Sequence, residues 1–569
     1  MITRRSSTKS SPLSNMKLGE RASRALPFLL LLLVGVFILY PMIMLLVTSF
    51  DQEGAFTFSG YASVFSSSST YKALLNTLQM EVGVLFGACF VGGSLAFLRH
   101  KTDYKSKHLL DIFVFLNFTI PAYILSVSWI QVAARNGYLR RILKVILPNV
   151  QYNYNAYSIG ACIIILVLHV YPLVYFGVGN ALKLLGNSYE QSAKVCGASK
   201  TRIIFRVILP LVLPAFISTG LLVVSRTLAN FGVPAQLAMP IGKEVLTTRL
   251  YSAMADLNLP VVAVYALLLV VISLGLFLVS ERVLKKRVYD SEDLSKDTEI
   301  ISIKLGKWQG PIRVITGIFF TISILIPFLT IIVTSLFKCW GLSFEMKHLT
   351  FQNYVRLFTE EKLLTRPLLN SLIYGIIAAT TAVMIASLIV YFYQYKHNRV
   401  ANWLMSISQL PIAIPNIILA VAAMVAWINE PFKLYGTASI IVVTYTVLFI
   451  PICIKQMLGA AKNIDRSMDK AAQTMGIPVT MRYARLFLPQ IKDSLISGFL
   501  ICFLISLKEI PISLLLYSAG TKTLGVMLFS IQSNAYGLEM TSSVAVIVIA
   551  LSVTGNLILN KLGARGYQS

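Results

Sequence analysis

Two stretches decide the fold: NSYEQSAKVCGASKTRIIFRVILPLVLP (187–214) and SMDKAAQTMGIPVTMRYARLFLPQIKDS (467–494). Each reads as a short helix, a glycine turn and a second helix running into an apolar segment. Asn187 with Glu190 three residues on resembles a capping box. Gly197 and Gly476 suit the left-handed position that closes a helix. Pro478 suits the first turn of the helix that follows. A single such loop is what any amphipathic helix lying on a membrane surface would look like. Two of them, 279 residues apart and each followed by Leu-Pro (Leu209-Pro210, Leu488-Pro489), mark an internal repeat.

Outward from these loops the repeat extends across the chain. Pro172 and Pro451 share the spacing of 279, whereas LLNTL (74–78) and LLNSL (368–372), like Pro121 and Pro415, stand 294 apart. FTFSGYASVF (56–65) matches LTFQNYVRLF (349–358). The change in spacing places an insertion in the first copy at 134–157, a loop with Arg135, Arg140, Arg141 and Lys144. A bilayer-crossing helix needs about 20 apolar residues. Runs of that kind fall at 25–49, 73–97, 109–133, 158–182, 212–236 and 259–280, then at 313–337, 367–394, 403–428, 437–460, 493–517 and 540–560. The expectation is an all-α polytopic membrane protein with twelve transmembrane helices in two six-helix repeats. Six spans per copy preserve parity, so the repeats are parallel and a substrate route lies between them.

Composition agrees. Of 569 residues 56% are hydrophobic and only 13% charged, with a mean hydropathy of +0.73. A soluble surface and a disordered chain both need far more charge. The net charge of +26 would suit nucleic acid on a soluble protein, but on an oily chain it reads as basic loops on one side of a membrane. With the N-terminus inside, 33 of the 50 Lys and Arg fall on the cytoplasmic side, so both termini are expected there. The expected layout is a tail 1–24, a first repeat 25–281, a polar linker 282–312, a second repeat 313–561 and a tail 562–569. The run 25–50 is too long for a signal-peptide core and reads as a retained first span. Six scattered cysteines and five scattered histidines form no metal or disulfide spacing, so neither a metal nor a cofactor is expected.

At this point the sequence resembles a known family. The loop pattern E-A-A-x-x-x-G with Leu-Pro following is similar to the cytoplasmic loop of permease subunits of ABC importers. Its positions here are Gln191, Ala193 and Gly197, then Lys470, Ala472 and Gly476. The motif glutamate is replaced by Gln191 and Lys470, each preceded by an acid, Glu190 or Asp469. IPAYILSVSWI (120–130), ANFGVPAQL (229–237) with VLTTRLYSA (245–253), and SLKEIPISLLL (506–516) extend the resemblance to fused double permeases of the ferric-iron type. The resemblance implies a type I importer permease fold in a bacterial cytoplasmic (inner) membrane. It also implies two copies of a cytoplasmic ATPase subunit, into whose clefts the loops dock, and an external solute-binding protein. No G-x-x-x-x-G-K-[ST] loop occurs in the chain, so ATP hydrolysis is expected from the partner, and the chain itself is not an enzyme.

Ionisable residues inside a span default to a functional reading. Arg226, Asn230, Lys508 and Glu509 are the candidates for the translocation pathway. Glu81 reads as structural, since the second copy has Gly375 in its place. Ferric iron is the expected cargo, with thiamine, phosphonate and polyamines as alternatives. An ion-coupled secondary carrier would account for the spans but not the paired loops, and a membrane enzyme would need a cluster of His, Asp or Cys that is missing from the sequence.

Overall fold

The computed structural model describes residues 25–563 apart from 53, 148, 150–154, 186–187, 257, 286–302, 343–344, 361–363, 397, 430–431 and 534–536. The tail 1–24, most of the linker, the residues 564–569 of the C-terminal tail and Asn187 therefore lie outside the described residues. Among the described residues the chain is built of helices, with one hairpin of two-residue strands pairing Asp51–Gln52 with Ala55–Phe56. Among the described residues nine helices are long and apolar enough to cross a membrane, and twelve if each of three bent pairs forms one span.

Six of the straight spans follow from uninterrupted apolar runs: Ser68–Lys101 (second), Ile159–Leu184 (fourth), Leu259–Val279 (sixth), Thr365–Lys396 (eighth), Ala438–Lys462 (tenth) and Gly537–Ile558 (twelfth). The first, Ala25–Thr48, the fifth, Lys200–Leu228, and the seventh, Gly306–Ser335, each carry one five-residue π turn. A fourth π turn, Tyr483–Phe487, leads into the eleventh. Each π turn ends two residues before a proline: Pro41, Pro210, Pro327 and Pro489. Proline has no N–H to donate and its ring collides with the carbonyl four residues back. Widening the helix by one residue per turn ahead of the ring removes that collision while the helix continues.

Four of the expected spans are corrected. The third is not a straight 109–133 but Lys107–Thr119 followed by Ala122–Ile146, bent by 95°, and the ninth is Arg399–Ala413 then Asn416–Trp427, bent by 113°. Pro121 and Pro415 sit in the breaks, where a proline holds its predecessor out of the helical region. The eleventh ends at Lys508 rather than 517, and is bent by 77° from the preceding limb Val479–Gln490. The fifth likewise ends at Leu228, and Gly232–Leu237 forms a separate helix.

These breaks build the centre. All but Trp129 of the twelve residues of Ala122–Ala133 are buried, as are all but Asn416 of Asn416–Trp427. Each half reaches across to the other: Tyr40–Thr48 of the first span packs on Asn416–Trp427, and Ile326–Ser335 of the seventh packs on Ala122–Ala133. Trp427 receives the rings of Phe37 and Tyr40 at 5.8 and 5.3 Å. On the other side Gln131 bonds Ser542 at 2.7 Å and accepts from Thr334 at 2.8 Å. In an apolar surrounding such polar pairs fix register, because slipping would leave them unsatisfied.

Candidate functional site

The two loops have the same local design. In the first, helix Ser188–Val195 ends at Gly197, whose φ is +74°. The Gly197 amide donates to the Lys194 carbonyl and the Ala198 amide to the Ala193 carbonyl, both at 2.9 Å. In the second, helix Arg466–Thr474 ends at Gly476, φ again +74°, and the Gly476 and Ile477 amides reach the Gln473 and Ala472 carbonyls at 3.0 Å. This is the Schellman closure, which satisfies carbonyls a helix end would otherwise leave open. Ser199 caps the next helix in the first loop; in the second, Pro478 is the residue before helix Val479–Arg482 rather than within its first turn.

The motif positions divide by exposure. Gln191 and Lys470 are exposed, Ala472 is buried and Ala193 half-buried. The acids that precede Gln191 and Lys470 turn inward. Glu190 pairs with Lys101 at 2.6 Å, the two side chains 6% and 2% exposed. Asp469 pairs with Arg482 at 2.6 Å, also largely buried, and accepts from the Tyr391 hydroxyl at 3.3 Å. The outer surface of the loops is apolar at its tips, with Val195 88% and Met475 71% exposed.

The intramembrane candidates separate into two kinds. Asn230 and Glu509 occupy equivalent places and do equivalent work. Asn230 Oδ1 accepts from the Val233 amide at 3.1 Å, and the Glu509 carboxylate accepts from the Ile512 and Ser513 amides at 2.9 and 3.1 Å. Each caps the short helix that follows a broken span. Arg226 and Lys508 both lie within electrostatic reach of His169 in the fourth span, whose ring lies by the Ile120 carbonyl. Lys508 donates to the Thr119 carbonyl at 3.5 Å. Those two carbonyls are freed where Pro121 breaks the third span, so side chains from the fourth and eleventh spans converge on the break. Arg226 keeps accessible surface although protein atoms crowd around its guanidinium, and it makes no hydrogen bond or ion pair among the described residues.

Glu81 is held by a hydrogen bond from Thr227. Its counterpart pair in the second copy is Gly375 and Ser506, so a carboxyl–hydroxyl contact in one half is a close helix approach in the other. Among the described residues no group of three or more His, Cys, Asp or Glu is placed to hold a metal ion.

Sequence reasoning did not single out Lys101, Arg482 or His169. Lys101 ends the run Arg99-His100-Lys101 and was counted only as part of the basic bias of its side. The available signal was the internal alignment, which sets Lys101 against Tyr395 and Ile203 against Arg482.

Residues 88–288 and 373–565 both match the family described as binding-protein-dependent transport system inner membrane component. A ferric transport system permease protein of Actinobacillus pleuropneumoniae is 21% identical over 539 residues, covering 92% of this chain and 76% of that protein. A putative ferric transport system permease protein of Haemophilus influenzae is 22% identical over 518 residues, 89% of this chain and 79% of its own length. A putative 2-aminoethylphosphonate transport system permease protein of Salmonella typhi is 27% identical over 222 residues, 38% of this chain and 75% of that protein.

Proposed function

The chain belongs to the family of binding-protein-dependent transport system inner membrane components, matched once in each half, and from that premise we propose that it is the complete membrane pore of an ATP-driven importer for ferric iron. It is a multi-pass permease and not an enzyme. The units are a first repeat at 25–281 and a second at 313–561, joined by the linker 282–312, with the tails 1–24 and 562–569 and both loops on the cytoplasmic side. The positive-inside bias supports that orientation.

One observation carries the mechanism: each half presents a helix closed by a glycine at φ +74°, stiff on its inner side and apolar at its tip. Two such helices suit the clefts of two ATPase subunits, with Glu190, Gln191, Ala193 and Gly197 in one and Asp469, Lys470, Ala472 and Gly476 in the other. Closure of the ATPase pair draws the helices together and rocks the halves about their crossed contacts, opening the route outward. An external solute-binding protein then delivers the cargo.

Ferric cargo is supported by relatives that match nearly the whole chain and are named for ferric transport. The cationic cluster of Arg226 and Lys508, beside the caps Asn230 and Glu509, favours iron passing as an anionic complex rather than as a bare cation. That same cluster is what a phosphonate would use, which keeps the phosphonate reading second. Uptake into vesicles carrying this chain with its ATPase and binding protein decides. ATP-dependent uptake of iron from ferric citrate is expected, unaffected by collapse of the proton gradient. Uptake of 2-aminoethylphosphonate without iron would replace the cargo, and uptake driven by a gradient without ATP would overturn the importer.

A further inference from the structure

We infer that Lys101 and Arg482 are positioning residues for coupling, and that they tie the two loops to the membrane halves by different routes, so that the halves are driven unequally. This rests on the reading of the loops as ATPase-docking elements.

The argument begins with the two acids. Glu190 and Asp469 are equivalent, 279 residues apart, and both are buried. A buried carboxylate is costly unless a cation meets it. The positions that supply the cation are not equivalent. In the first half it is Lys101, the last residue of the second span; the corresponding residue in the eighth span is Tyr395. In the second half it is Arg482, from the limb that follows the glycine turn; the corresponding residue in the first half is Ile203, buried and apolar. Each half holds the cation that the other lacks and carries an uncharged residue where the other has its own. The requirement kept in both is a paired acid under the docking helix; the source of the cation differs.

The routes differ mechanically. Lys101 Nζ contacts Glu190 at 2.6 Å and the Leu185 carbonyl at 3.4 Å. Leu185 closes the fourth span, and the second span packs along both the fourth and the fifth. One ammonium thus joins the docking helix to two spans of its half. Arg482 contacts the carboxylate of Asp469 at 2.6 Å and its backbone carbonyl at 3.3 Å, which locks the loop on itself. The link to the eighth span is then a long hydrogen bond from the Tyr391 hydroxyl to the Asp469 carboxylate at 3.3 Å, a hydroxyl pair between Ser387 and Tyr483 at 2.6 Å, and ring contacts of Tyr391 with Tyr483 and Phe487 at 5.5 and 5.3 Å. A buried ion pair adds little stability over an apolar pair of the same volume, but it fixes one geometry. A directed pair to a span transmits displacement; an internal lock with aromatic packing above it yields more.

The test uses the full chain reconstituted with its ATPase subunits and binding protein, scoring iron taken up from ferric citrate per ATP hydrolysed. Lys101→Met is expected to keep assembly and ATP hydrolysis while lowering that ratio about tenfold. Arg482→Met is expected to lower it by no more than about threefold. Two double variants separate coupling from folding. The exchange Lys101→Glu with Glu190→Lys restores the pair, and Lys101→Tyr with Ile203→Arg rebuilds the first loop on the plan of the second. The exchange is expected to recover most of the ratio lost in Lys101→Met, whereas the rebuilt loop, which has only the route of the second half, is expected to stay at least about threefold below wild type. A wild-type ratio in Lys101→Met with the complex intact would overturn the inference, as would failure of the charge exchange in complexes that assemble, full recovery in the rebuilt loop, or a loss in Arg482→Met as large as in Lys101→Met. Absence of ATP-dependent uptake by the unmodified chain would instead strike the functional reading beneath it.

Discussion

Replacing Gly197 separates backbone conformation from contact at the loop proposed to take up the ATPase stroke. The residue stands at φ +74°, and a Cβ added to it meets nothing within 4 Å. Steric repulsion from the chain therefore contributes nothing, and the cost of a side chain is the left-handed conformation alone. For Gly197→Ala that is about 1 kcal/mol. For Gly197→Val, β-branched and stiff at χ1, it is about 2 kcal/mol or more. Opposing it are the two hydrogen bonds of the turn, at 2.9 Å each, together worth about 2 kcal/mol. Alanine should leave the turn in place and valine should open it. Asparagine tolerates the left-handed region, so Gly197→Asn adds bulk with little strain. The measurement is uptake per ATP hydrolysed in proteoliposomes, with assembly checked by co-purification of the ATPase. Ala and Asn are expected within about twofold of wild type, and Val about tenfold lower. A normal ratio in Gly197→Val would refute the importance of the turn. An Asn variant as impaired as Val would show that contact with a partner surface, not backbone strain, governs the position.

Two further outcomes follow from packing within the membrane. At Gly375 an added Cβ would lie 2.2 Å from Ser506 Oγ and 3.2 Å from the Phe503 ring, so Gly375→Ala should cost about 1–3 kcal/mol by overpacking. It should lower the melting midpoint in detergent, with Ser506→Gly in the same chain restoring it; an unchanged midpoint in the single variant would contradict the close approach. Removing the cap in Glu509→Ala leaves the buried amides of Ile512 and Ser513 open and should destabilise by about 1–2 kcal/mol. Glu509→Asn, which installs the residue of the first copy, should recover most of it, and equal stability of Ala and wild type would rule out the capping role.

Much of the molecule was legible before any coordinates. The period of the repeat, the two loops and their glycines depend on local rules: a left-handed turn needs glycine, and a bilayer needs long apolar runs. The four π turns were also local, each set two residues ahead of a proline, though the Leu-Pro pairs served only as repeat markers. What local rules did not reach was the path of the third and ninth spans. Their apolar runs are continuous through Pro121 and Pro415, and hydropathy cannot distinguish a kink from a turn of about a right angle. Asn230 and Glu509 stood out as polar residues in oily runs, but their work as caps depends on where the fifth and eleventh spans stop.

The division has a physical reason. By itself the sequence determined what repeats and what can lie in a membrane, because periodicity and transfer energy are properties of single segments. Only the tertiary structure decided which charges meet. Lys101 lies 89 residues from Glu190, and Lys508 lies 389 from Thr119; no pattern of spacing joins them. In a low-dielectric interior an isolated charge is intolerable, so partners are mandatory, yet either half could supply them from any element that passes close by. The two halves found different solutions under the same helix, and that difference exists only in the folded chain.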